Sequence, residues 1–167
     1  MKKKYFTISS LKSKGAKVKE SPQNKKLEEM LRSSKLVAGG FLGDDTRSIS
    51  EIIDSDISDI SRLDYTVEQI ARRMREITNK AILFLGNWSE IDKKRLAKVD
   101  EAKGSLVCPW PHSGRFAKRV TTVKLTETGH TIKYSDLNIH LIEVHGFFEG
   151  RGATFRIEPK TLIKMIF

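Results

Sequence analysis

The chain has 167 residues, of which 31 are Lys or Arg and 21 are Asp or Glu, giving a formal charge of +10. With 38% hydrophobic residues it has enough apolar side chains for one core, which excludes a wholly disordered chain. Its single Cys excludes an internal disulfide framework, and no apolar run approaches the ~18 residues that a membrane span needs.

The first 26 residues are predicted to form a basic, flexible arm (1–26), because they are rich in Lys and Ser and poor in apolar side chains. No apolar stretch of a secretion signal follows the lysines at the start, so we expect a cytoplasmic protein without membrane attachment. Each Lys can release a counterion from a phosphate, which indicates a nucleic acid or another polyanion as partner. A solubilising tail, or an arm lying on the chain's own acidic segment, is the alternative.

The remaining residues, 27–167, are predicted to form a single α+β domain. A short helix is expected at 26–36, and the glycines of 38–45 indicate a tight connection after it.

Two helix starts are marked by capping boxes. Ser48 with Glu51, and Thr66 with Gln69, have the spacing in which each side chain bonds the other's backbone N–H. Apolar residues follow each box at helical spacing. Residues 48–81 are therefore interpreted as a helical hairpin, an acidic helix followed by a basic one, packed antiparallel.

The stretch 82–108 leaves two interpretations open. Residues 82–85 either finish the second helix or form a buried strand, and 89–102 form either a short helix or a polar strand pair. Residues 106–108 have the composition of a strand that Pro109 ends.

A β-hairpin is predicted next. Residues 120–125 and 131–134 alternate between apolar and polar side chains, and 126–130 have the composition of a hairpin loop. The predicted fold class is therefore α+β, a helical hairpin packed on a small antiparallel sheet, with the basic N-terminal arm.

The last part of the chain is predicted to be helical again. Ser135 or Asp136 caps a helix that ends before Gly146. Pro159 can open a final short helix, although 162–167 would also suit an edge strand.

The Cys and His residues provide the ligand types of a zinc site. Four of them between positions 108 and 145 would complete a tetrahedron, namely Cys108, His112, His140 and His145. Against this, most structural sites contain more Cys, and at roughly 100° per residue His140 and His145 lie about 140° apart around a helix. His140 also shares the helix face of Leu137 and Leu141, as a core histidine would. We therefore predict no cofactor, with zinc as the alternative.

Cys108 also suits a second chemistry, as a nucleophile with His145 and Glu149 as candidate bases. This alternative is a small metal-dependent or Cys/His enzyme with a site formed by 108–119 and 140–152. A lone Cys is more often a small buried apolar residue, so whether the protein is an enzyme stays open.

A third group of residues mixes rings with positive charge, which suits base stacking and phosphate contact. Its members are Trp110, His112, Arg115, Lys118, Arg119 and Arg151. We expect the segments 108–112 and 145–152 to converge on one concave site beside the 120–134 hairpin. The predicted function is non-enzymatic binding of a nucleic acid or other polyanion, without a choice between RNA and DNA. A protein-interaction module that uses the acidic helix 48–63 is the other alternative.

Overall fold

The computed structural model describes residues 21–167, which form five helices and one four-stranded antiparallel sheet. The predicted α+β class is therefore confirmed. Most of the predicted arm, residues 1–20, lies outside the described part of the chain, and the rest of it, from Pro22, belongs to the first helix. None of the described helices combines the length and apolar character needed to cross a membrane.

The elements follow one another in the order α1, α2, α3, four strands, α4 and α5. Their bounds are α1 (Pro22–Arg32), α2 (Ile49–Ser61), α3 (Val67–Ile82), β1 (Ser89–Asp92), β2 (Arg95–Val107), β3 (Arg115–Leu125), β4 (Thr131–Ser135), α4 (Asp136–His145) and α5 (Pro159–Ile166). Each strand pairs with the next one along the chain, so the sheet is a simple antiparallel meander.

The helix ends are formed by the local signals that the sequence carries. Both predicted capping boxes are present, at Ser48 of α2 and Thr66 of α3, and Ser135 caps α4 in the same way. Gly146 ends α4 in the left-handed conformation, with φ 62°. Pro159 opens α5, so the last segment is a helix and not an edge strand.

The packing of the helical hairpin differs from the prediction. The two helices are consecutive, but α2 packs mainly against α5, whereas α3 packs against α4 and β2. The apolar stripe of α3, with Ile70, Met74 and Ile77, faces the inner side of the sheet. Tyr134 and Val123 of the sheet belong to the same apolar cluster as that stripe.

The open stretch between residues 82 and 108 contains strands. The third helix ends at Ile82, and β1 and β2 follow it. Inward-facing positions of β2 alternate as in a half-buried strand, but the first of them is Arg95. This arginine is 6% exposed because its guanidinium donates to the carbonyl of Met165 and to Asp92. Because charged Arg95 occupies a buried position, the alternation of apolar and polar residues expected for β2 is not apparent in the sequence.

The buried side chains form two clusters. The first lies between the inner face of the sheet and α3, α4 and α5, and α5 contributes four residues to it: Leu162, Ile163, Met165 and Ile166. The second lies around the loop after α1 and the outer part of α4, and includes Phe41, Ile52, Leu141 and Cys108.

The two glycine-rich segments are pressed against each other beside the second cluster. Gly150 donates its N–H to the carbonyl of Phe41 at 2.8 Å. A Cβ placed on Gly150 would lie 2.4 Å from the Leu42 carbonyl oxygen, and one on Gly43 would lie 2.4 Å from the Ala153 nitrogen. These glycines therefore serve close backbone packing.

Candidate metal centre

The candidate centre joins the β2–β3 connection to α4. Cys108 directly follows β2, and His112 lies four residues further on, in a turn where its N–H donates to the Trp110 carbonyl at 2.8 Å. His140 is the fifth residue of α4 and His145 is its last. Four side chains that are far apart in the sequence thus meet at one point.

Three contacts between their ligand atoms have lengths close to those around a tetrahedral zinc ion. The Nε2 atom of His145 is 3.4 Å from Cys108 Sγ and 3.1 Å from His112 Nε2. His112 Nε2 is 3.3 Å from His140 Nε2, and all four ligand atoms lie within 4.8 Å of one another. A tetrahedral zinc ion with ordinary bond lengths separates two nitrogens by about 3.3 Å and a nitrogen from a sulfur by about 3.6 Å.

Hydrogen bonds alone do not satisfy this arrangement. His112 Nδ1 lies 3.0 Å from the Ser113 carbonyl, which can only accept, so Nδ1 carries the proton and Nε2 presents its lone pair. Both His140 Nε2 and His145 Nε2 face that one lone pair. A metal ion can accept all of these lone pairs at once, and a carbonyl that holds the opposite ring nitrogen is the usual outer partner of a ligating histidine.

The electrostatics of the centre favour uncharged imidazoles. Burial, together with the smaller effects of the neighbouring His140 and His112, lowers the pKa of His145 to about 4. Burial and His112 also lower the pKa of His140. Neutral imidazole is the form that binds a metal.

Aromatic rings form the walls of the centre. Trp110 stacks on His145 with ring centroids 4.1 Å apart and an interplanar angle of 11°. Phe116 lies 4.4 Å from the ring of His140. These contacts hold the imidazoles of His145 and His140 in place. The ring faces of Trp110 and Phe116 are thus engaged in contacts within the protein.

The predicted nucleophile and its bases are only partly assembled. Cys108 and His145 are in contact, but the Glu149 carboxylate accepts a hydrogen bond from Asn138 Nδ2 at 2.5 Å, in the interior. Burial raises the pKa of the Cys108 thiol, whereas a catalytic cysteine needs a lowered one. Cys108 and His145 therefore meet without Glu149, the third member of the predicted catalytic set.

The other predicted binding residues have different surroundings. Arg119 bonds to Glu101 and Asp136, and Arg115 to the Ser105 hydroxyl. Lys118 and Arg151 are exposed. Of the two segments expected to converge, 108–112 meets His145, while the glycines further along contact the loop after α1.

The acidic helix uses several of its carboxylates within the protein. Glu51 is part of the capping box, and Asp59 bonds to Arg62. Asp56 is buried in an ion pair with Arg156. Asp54 stays exposed.

The angular separation of His140 and His145 around α4 does not keep their Nε2 atoms from a common partner, His112. His145 is the last residue of α4, and its ring is turned by its stacking on Trp110, so both Nε2 atoms reach His112. His140 is half-buried and faces the other imidazoles, not the apolar core. The residue types and the placement of Trp110 between two prolines were the only sequence signals for this centre.

Comparisons with protein-family models, with curated proteins and with solved structures found no match to this chain.

Proposed function

We propose that this is a zinc-binding protein in which Cys108, His112, His140 and His145 hold one ion in a closed structural site. The observation that supports this proposal is the convergence of one Sγ and three Nε2 atoms within 4.8 Å.

The ligand types select the metal. Imidazole and thiolate suit zinc, whereas calcium and magnesium require oxygen ligands. Four protein ligands complete the tetrahedron and leave no position for a substrate or an attacking water. The centre therefore has a structural role, and no catalytic step is assigned to it.

The ion would tie together two parts of the fold. Cys108 and His112 belong to the β2–β3 connection, and His140 and His145 belong to α4. Metal binding to such a site contributes directly to the free energy of folding. The function of the ion is to hold the end of the long β2–β3 hairpin on α4.

Zinc content of the full chain, purified without chelator, tests the proposal. We expect one zinc per chain by elemental analysis and native mass spectrometry. His112→Gln should lose it, because His112 contacts two of the other ligands. His130→Gln is the matched control, since His130 is exposed in the β3–β4 loop. Cobalt-loaded protein should show a thiolate charge-transfer band that Cys108→Ser removes.

Two results would contradict the proposal. One is a protein that stays free of metal after incubation with zinc. The other is equal zinc retention in His112→Gln and His130→Gln.

Binding of a nucleic acid or other polyanion by the basic arm stays a prediction, because residues 1–20 are not described. Its test concerns the whole chain and is given in the Discussion.

A further inference from the structure

The sheet has an outer face, opposite the face on which α3, α4 and α5 pack. These helices contact inward-facing side chains such as Ala97 and Val123. The opposite, outer face carries the alternate residues of each strand.

A row of lysines crosses this outer face. Lys98, Thr122 and Lys133 are register partners on β2, β3 and β4. Lys124 lies two residues beyond Thr122 and points to the same side of the sheet. Adjacent strands are about 4.8 Å apart, so the three ammonium groups share one patch of surface.

An exposed indole lies beside these lysines. Trp88 precedes β1 and is 43% exposed. The Nζ atoms of Lys98 and Lys124 each lie 5.9 Å from the centroid of its ring. A large aromatic surface is therefore held next to two positive charges.

Within residues 21–167 this patch is only partly neutralised. Lys98 pairs with Asp100 at 2.9 Å. Lys124 and Lys133 have no ion pair with a described residue. Thr122, which lies between them, is only 3% exposed. The two ammonium groups thus flank a position whose own side chain is buried.

We propose that this outer face, formed by Trp88, Lys98, Lys124 and Lys133, binds single-stranded nucleic acid. Bases stack on the indole, and the lysines contact the phosphates. The aromatic ring favours a partner with exposed bases over a polyanion without rings, and the bases of a duplex are already stacked on each other. This inference is independent of the zinc centre, since none of its residues belongs to that centre.

Binding of a fluorescein-labelled oligothymidylate to the full chain, followed by anisotropy over a series of salt concentrations, tests the inference. Trp88→Ala should weaken binding about 5- to 150-fold, the effect of losing one base stack, whereas Trp88→Phe should keep most of it. Replacing both Lys124 and Lys133 by Ala should reduce the slope of log K against log salt by about 1.4, since each single-strand phosphate contact contributes about 0.7. Replacing both Lys160 and Lys164 of α5 by Ala removes the same charge from two other exposed positions, and this control should change neither quantity.

The N-terminal arm is identical in every variant, so it cannot cause the differences in oligonucleotide binding between them. The inference is overturned if the wild-type chain does not bind the oligonucleotide, or if Trp88→Ala binds as tightly as the wild type. It is also overturned if polyphosphate or duplex DNA binds more tightly than the single strand. Binding to anionic vesicles that depends on Trp88, with unchanged oligonucleotide binding, would assign the face to a lipid surface instead.

Discussion

At the scale of single residues, Glu149 is a carboxyl group kept in the interior. It is 3% exposed, and burial raises its pKa to about 7, although Asn138 and the Phe155 N–H oppose the rise. The folded chain therefore keeps a proton that the unfolded chain releases above the ordinary value of 4.5. The contribution of Glu149 to stability is complete below that value and is lost as the pH rises through about 7.

Glu149→Gln should remove this pH dependence, because the amide keeps the acceptor for Asn138 without a charge. We expect the variant to gain stability over the wild type between pH 5 and pH 8, by about 3 kcal/mol at most. Urea unfolding at a series of pH values measures the difference. Glu127→Gln, in the exposed β3–β4 loop, is the control and should follow the wild-type curve. A constant difference across the pH range would show that Glu149 does not titrate there.

A second residue-scale prediction concerns the buried ion pair of Asp56 and Arg156. Their side chains are 3% and 7% exposed, and Arg156 also donates to the Glu149 carbonyl at 2.8 Å. Asp56→Ala leaves a buried guanidinium without its main partner and should destabilise the fold by about 3–5 kcal/mol. Asp54→Ala on the exposed side of the same helix should cost less than about 0.5 kcal/mol. Thermal unfolding of the two variants compares them, and similar melting temperatures would contradict the prediction.

At the scale of elements, local signals in the sequence were sufficient to place most helices. Capping boxes and the glycine after α4 act within one turn of chain, so their effect is readable without tertiary contacts. The β3–β4 hairpin was predicted for the same reason. Pro159, the first residue of α5, indicated a helix there, but the sequence left an edge strand open as well. The packing of α2 against α5 was not predictable from the sequence. It depends on which apolar surface lies nearest to α2 once the chain has folded.

The strand β2 and the metal centre needed information that the sequence pattern does not contain. The guanidinium of buried Arg95 donates to the carbonyl of Met165, 70 positions away in the sequence. No local sequence pattern therefore assigns Arg95 to the core. The ligand types of the centre were recognised, but a separation of five residues in α4 argued against a shared site. The orientation of the His145 ring depends on its stacking against Trp110, and this contact exists only in the folded chain.

The packing of the two glycine-rich loops gives an element-scale prediction. Gly150→Ala should destabilise the fold by about 1–3 kcal/mol, because its Cβ would meet the Leu42 backbone at 2.4 Å. Gly39→Ala is the comparison, since a Cβ there meets nothing within 4 Å and only the positive φ of 80° opposes it. Chemical denaturation should show the larger loss for Gly150→Ala. A larger loss for Gly39→Ala would mean that backbone conformation, and not loop contact, dominates.

At the scale of the whole molecule, the positive charge is concentrated in the arm. Residues 1–20 contain seven Lys and one Glu, so they supply more than half of the net charge of +10. Deleting residues 1–20 keeps Ser21, whose side chain caps α1, and should leave the fold intact. We expect the truncated chain to leave a heparin column at lower salt than the full chain. Unchanged retention, with an unchanged melting temperature, would show that the arm is not the polyanion-binding part.

The late position of α5 has a consequence for the order of events during synthesis. The first cluster lacks four of its side chains until residues 159–166 have left the ribosome. All four proposed zinc ligands, up to His145, emerge before them. With the proposed zinc site, a nascent chain would hold all four ligands before α5 is synthesised. A bound ion would then restrict the chain before the first cluster is complete.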